Sequence, residues 1–264
     1  MRAFGQLIAA VAVVSTGGAL LAGCGGDKNT QSAAAPVVRA VSTTRTPGAF
    51  PGISGKGVLK DAVDAMESTP TMTVDLHTTG DDDEPIHMKA AVTDTGKCAA
   101  TVEDDGDRFQ LIGTGEQYYM KADETYWQDK GGADGDALSA FAAGKWLKLP
   151  RDAGAQAGFK QFCDLKTLLG SMADAGSEGT VTKGRVLTYA GEQVQSLTQH
   201  ADDGDTEMYV AVNGTPYLLR AFTPDDDSNT ATFSGFGRAT RITAPPAGLT
   251  VDISAFGGDP GFSV

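Results

Sequence analysis

Histidines, clustered carboxylates and cysteines are the residues here whose types could do chemistry. Of three histidines, His77 and His87 flank the turn-like run Gly80-Asp81-Asp82-Asp83-Glu84-Pro85. A hairpin centred near Asp82 sets them about opposite each other on its polar face. Two imidazoles so placed could share a metal ion. A metal site needs a third and fourth ligand, and only nearby Asp residues offer them. An exposed cross-strand pair fits the same spacing, and the reading adopted is that pair, with no metal and no cofactor. His200 stands at a strand end and is assigned no role. The acidic runs Asp81–Glu84, Asp104–Asp107, Asp202–Asp205 and Asp225–Asp227 lack the EF-hand pattern. They fall at turns, where Asp bonds its own backbone. Catalytic motifs are missing: there is no Gly-x-Ser-x-Gly, no Ser-x-x-Lys and no Gly-x-Gly-x-x-Gly after a strand. The Gly-Lys dipeptides precede Gly57, Cys98 and Trp146, so none makes a phosphate loop. The expectation is a protein that is not an enzyme.

The cysteines are more informative. Arg2 followed by the uncharged apolar stretch Leu7–Leu21 reads as a secretory signal, residues 1–23. Ser15, Thr16, Gly17 and Gly18 interrupt the stretch, leaving it short of the ~20 apolar residues a spanning helix needs. It ends in Leu21-Ala22-Gly23-Cys24, which resembles the bacterial lipobox. That resemblance implies a diacylglyceryl Cys24 as the first mature residue, anchored on the extracytoplasmic face of the cell membrane. Stable anchoring takes more than one acyl chain. With Cys24 acylated, Cys98 and Cys163 remain as an even pair in an oxidising compartment, and they read as a disulfide. No Cys-x-x-Cys spacing supports a reactive pair.

Charge narrows the partners. The chain of 264 residues has 21 Lys+Arg against 34 Asp+Glu, a net charge of -13. Nucleic-acid binding runs on basic side chains, so no nucleic-acid partner is expected. An anionic membrane surface would repel the chain, so attachment must come from the lipid on Cys24. Hydrophobic residues make up 41%, enough to pack a core.

These residues must be positioned by elements that the periodicity reveals. Residues 24–54 are rich in Gly, Ser, Thr, Ala and Pro, and read as a flexible tether. The domain, residues 55–264, opens with a helix that sets Leu59, Ala62, Val63 and Met66 on one face, with Pro70 beyond its end. From Thr71 the period becomes two. Met72, Val74 and Leu76 alternate with polar residues, as do Ile86, Met88, Ala90 and Val92. Strand–turn–strand patterns recur at 99–112, 117–129, 181–200 and 206–223, the last around Asn213-Gly214. Thr230–Phe236 adds a strand. Between these halves lie helical signals at Asp136–Ala143 and after Asp164, with a short strand at Trp146–Leu149. Trp127, Trp146, Tyr118, Tyr119 and Tyr126 read as core or sheet surface. The sum is α+β: a curled antiparallel sheet of about eleven strands with a few short helices covering one face.

Three stretches resemble a known family. They are Gln117-Tyr118-Tyr119-Met120-Lys121-Ala122-Asp123 with Tyr126-Trp127; Gly144-Lys145-Trp146-Leu147-Lys148-Leu149; and Met208 through Leu218. With the lipobox, tether and first helix, they resemble the LppX/LprG lipoproteins of actinobacteria, relatives of the LolA/LolB carriers. The likeness spans residues 55–253. It implies a half-barrel over helices with an apolar cavity that takes a lipid or lipidated glycan. No functional residue transfers one by one. The cysteine pair is not a general mark of that family and points to a subgroup. Strand parity assigns Met72, Val74, Leu76, Met88, Ala90, Phe109, Leu111 and Met120 to the ligand cavity. The alternative is an envelope protein that binds another protein or senses a signal, with no small-molecule ligand.

Overall fold

The computed structural model describes residues 49–79, 84–130, 135–149, 163–170, 179–202, 204–224 and 226–252. The signal segment, Cys24, the tether up to residue 48, Asp81–Asp83 and residues 253–264 lie outside the described residues.

The first helix, α1 (Gly55–Glu67), begins where Ser54 accepts a hydrogen bond from the Gly57 N–H at 3.1 Å. That side-chain cap satisfies one of the orphan donors of the first turn. The helix ends as the Ser68 N–H bonds the Asp64 carbonyl, two residues before Pro70. Val58, Leu59, Ala62, Val63 and Met66 form its buried face. Just before it, Phe50 packs against the core and its carbonyl accepts from Lys183 Nζ at 2.9 Å.

Alternating residues then build β1 (Thr71–Thr79), β2 (Pro85–Thr93), β3 (Lys97–Asp104), β4 (Asp107–Thr114) and β5 (Tyr118–Ala122). The β3–β4 hairpin turns on Asp105 and Gly106, both at positive φ, 48° and 84°. This is the left-handed pair that a two-residue hairpin turn requires and that Asp-Gly supplies. Next come α2 (Glu124–Lys130), α3 (Gly135–Ala142), β6 (Trp146–Lys148) and a helical stretch over 165–170. Asp164 caps that stretch, accepting from the Thr167 N–H at 3.0 Å. The second half is β7 (Thr180–Tyr189), β8 (Glu192–Ala201), β9 (Gly204–Ala211), β10 (Leu218–Thr223) and β11 (Asp226–Ser234), then β12 (Thr250–Asp252).

The twelve strands form one open, curled sheet in the order β12-β6-β5-β4-β3-β2-β1-β11-β10-β9-β8-β7. Neighbours are antiparallel except β12 and β6. The halves join where β1 pairs with β11, Val74 facing Phe233. The α+β half-barrel is thus present, with one strand more than the sequence pattern predicts.

One predicted strand is wrong. Residues 125–129 form the body of α2, not the second arm of a hairpin. Asp123 accepts from the Tyr126 N–H at 3.0 Å and caps the helix. Tyr126 and Trp127 are both buried as neighbouring residues of this helix.

The Cys98–Cys163 disulfide is present, linking β3 to the segment that leads into 165–170. Gly113 faces Cys98 across β3 and β4. A Cβ at Gly113 would stand 2.9 Å from Cys163 Sγ and 3.1 Å from Cys98 Sγ, so the bridge occupies the room that a side chain would need.

Candidate functional site

The two faces of β1–β5 hold different chemistry. On the inner face, register aligns apolar side chains into rows. One runs Phe233, Val74, Ala90, Ala100, Leu111, Met120 and Leu147. A second runs Leu76, Met88, Val102, Phe109 and Ala122. Of the eight residues that parity assigns to a cavity, Met72, Val74, Met88, Ala90, Phe109, Leu111 and Met120 are buried. Leu76 shares their face but is half-buried, towards the end of the hairpin. All the buried ones except Met88 belong to a single apolar cluster.

That cluster is tightly filled. Trp127, Met120, Leu147 and Leu169 are fully buried, at 0% exposure. Tyr126 stacks obliquely on Phe109, with ring centres 5.3 Å apart, and edge-on to Trp127 at 5.2 Å. Burial, then the nearby charges of Asp104 and Asp107, push the Tyr126 phenol up to about 12. Parity places these side chains on the buried face of the sheet. It misses the helical side, Trp127, Leu165 and Leu169, where the sequence pattern puts a strand over 125–129.

The outer face carries Asp75 and His77 on β1, His87 and Lys89 on β2, Glu103 on β3 and Arg108 on β4. His77 and His87 are direct cross-strand partners, their rings stacked at 4.1 Å and 9°. Asp75 Oδ1 lies 2.9 Å from His87 Nε2 and 3.4 Å from His77 Nε2. Lys89 Nζ holds Asp75 Oδ2 at 3.1 Å. Partial burial raises the Asp75 carboxyl, but hydrogen bonds from His87 and Lys89 outweigh it and hold the group below the usual carboxylate range. Beside this cluster, a concavity of about 420 Å³ is lined by His77, Pro85, Ile86, His87, Glu103, Gly106, Arg108 and Asp123. The third histidine, His200, pairs with Asp205 at 2.9 Å and lies 3.4 Å from the Thr182 hydroxyl through its other ring nitrogen.

The acidic run Asp104–Asp107 is a hairpin turn. The other runs are only partly among the described residues. Tyr118 is buried, and Tyr119 and Trp146 are half-buried on the sheet.

A twelve-stranded, unclosed sheet curled over a thin layer of helices defines an α+β half-barrel protein. Solved structures give it a particular likeness. LprF from Mycobacterium bovis shares the fold, with a TM-score of 0.51 and 12% identity over 72% of this chain and 96% of LprF. LprF is of the LppX/LprG kind that the sequence stretches resemble, and at that identity the likeness is one of fold. An uncharacterized conserved protein from Thermus thermophilus overlays with a TM-score of 0.32 at 11% identity, covering 74% of this chain and 96% of that one. The Pseudomonas aeruginosa MucA/MucB complex gives a TM-score of 0.32 at 11% identity, covering 74% of this chain and 59% of that one. These two overlays are too loose to bear on function. No family model matches the sequence, and no curated protein matches it significantly. Among the described residues, no helix is long and apolar enough to cross a membrane.

Proposed function

We propose that this chain is an extracytoplasmic lipoprotein, held to the cell membrane by a diacylglyceryl Cys24, that binds a lipid or lipidated glycan between sheet and helices. Binding, not catalysis, is its role. The observation that supports this most is the continuous apolar inner face of β1–β6 under a helical cover, in a fold shared with LprF. The driving force is desolvation: each acyl CH₂ buried against Met72, Leu111 and Met120 contributes about 0.8 kcal/mol. Methionine suits such a surface because its flexible thioether adapts to irregular chains. The filled cluster around Trp127 and Leu169 means that the cover must shift to admit a ligand.

A second reading, an envelope protein that binds another protein with no ligand inside, draws on that same filled cluster. Native mass spectrometry of the full chain from its own host's envelope separates the two. Lipid-mass adducts that organic extraction removes, while the acyl mass on Cys24 stays, are the result expected. An adduct-free mass from several lipid-rich preparations moves the assignment to a protein partner.

A further inference from the structure

The outer-face cluster has the donor set of a metal site. Strand alternation places Asp75 and His77 on the same face of β1, two residues apart, and register brings His87 opposite His77. One ring nitrogen of each histidine and one Asp75 carboxylate oxygen all lie within 4.8 Å of one another. Metal bonds of about 2.0–2.2 Å to nitrogen and oxygen require ligand atoms roughly 3–3.6 Å apart. The Asp75–His87 and Asp75–His77 separations, 2.9 and 3.4 Å, lie close to that spacing, and the stacked rings, whose in-plane lone pairs run parallel, must tilt towards each other for both nitrogens to reach one ion.

The neighbours fit the same purpose. Glu103 Oε2 lies 3.9 Å from His87 Nδ1, the ring nitrogen that a metal bound at Nε2 would leave free. At that distance no hydrogen bond is made; a carboxylate that closes to hydrogen-bond distance of that nitrogen would orient a ligating imidazole and raise its basicity. Lys89 fixes the second Asp75 oxygen, leaving Oδ1 for the ion. The ligands stand on strands paired on both sides, β1 between β11 and β2, and β2 between β1 and β3. Such a platform holds ligand geometry better than a loop. The side chains are half-exposed, His77 at 53% and His87 at 38%, and the concavity of about 420 Å³ beside them leaves coordination positions open to water or an anionic group.

We propose that Asp75, His77 and His87 form a binding site for a divalent transition-metal ion of the zinc class on the outer face of the sheet. Sequence spacing alone favours an unmetallated pair, because it does not show that Asp75 reaches both rings. Two imidazoles and one carboxylate select zinc, cobalt, nickel or copper over calcium and magnesium, which prefer all-oxygen sites. Three protein ligands leave the site open, as in catalytic rather than structural zinc sites. The site is independent of any ligand under the helices.

Cobalt(II) titration of the chelator-stripped full chain in detergent tests this. The expected result is one Co²⁺ per chain with visible ligand-field bands, displaced by Zn²⁺ and not by Ca²⁺ or Mg²⁺. His77→Ala and His87→Ala should each weaken binding at least ~10-fold, while His200→Ala, which removes the single-imidazole pair with Asp205, leaves it unchanged. In the unmutated chain, Zn²⁺ should move the imidazole NMR signals of His77 and His87 and spare His200. No stoichiometric binding, binding that survives His77→Ala and His87→Ala, or equal loss in His200→Ala would overturn the proposal.

Discussion

The sheet divides at the β1–β11 junction, and its two halves are covered by different means. Over the first half, α2 packs on β4 and α3 packs on α2, and the 165–170 stretch is tied to β3 through Cys163 and Cys98. Over the second half, α1 lies on β7, β9 and β10 with no covalent tie. Its first residue, Gly55, sits so close to β7 that a Cβ there would stand 2.4 Å from the Val181 carbonyl oxygen. One cover is stapled; the other is held by shape and burial. The difference teaches that a similar helix-on-sheet layer can be secured by a bond or by close approach, and that the two should fail under different insults.

Removing the staple should have the largest effect. The bridge closes a separation of 65 residues, and the chain-entropy argument gives about 4 kcal/mol for a loop of that size. Cys98→Ala/Cys163→Ala should lower urea stability by about that amount. Hydrogen exchange should speed up in β3–β5 before β7–β9. Equal loss of protection in both halves would erase the contrast.

The complementary insult is Met66→Ala on the fully buried face of α1. A buried Met→Ala cavity costs about 3 kcal/mol. Here protection should fall first in β7, β9 and β10. Loss centred on β3–β5 would mean that α1 serves the other half.

A smaller effect sharpens the picture of the stapled side. The Tyr126 phenol, raised to about 12, favours its protonated form in the fold. Its contribution is complete below its ordinary 10.0 and is lost as pH rises from there through about 12. Two pK units correspond to roughly 2–3 kcal/mol. Tyr126→Phe should therefore flatten the alkaline fall in thermal stability relative to the parent chain. An unchanged alkaline profile would remove Tyr126 as its source.

Much of this arrangement is legible in the sequence because its signals are local. Alternation in 71–92 fixes the inner and outer faces, and symmetry about Asp82 sets His77 opposite His87. Reading residues 1–23 as an export signal leaves an even remainder of cysteines, and that expectation matches the Cys98–Cys163 bridge. What escapes is non-local. The three-residue β12 gains its identity only by parallel pairing with β6. Gly113 has its role only once Cys163 has arrived from far along the chain. The 125–129 stretch reads as the second arm of a hairpin around Ala122-Asp123-Glu124, but Asp123 caps a helix there instead. The metal-ligand set is half legible: the histidine pair follows from register, while the convergence of Asp75 on both rings depends on side-chain positions.

The central claim is that a hydrophobic ligand lies between the helices and the inner face of the first half-sheet. Photo-crosslinking tests it most directly, with a diazirine-bearing fatty acid added to host membranes containing the full chain, followed by peptide mapping. The account predicts label on peptides carrying Met72, Met88, Leu111 and Met120. Label confined to outer-face or second-half peptides, or no label above that of an unrelated lipoprotein, would contradict it.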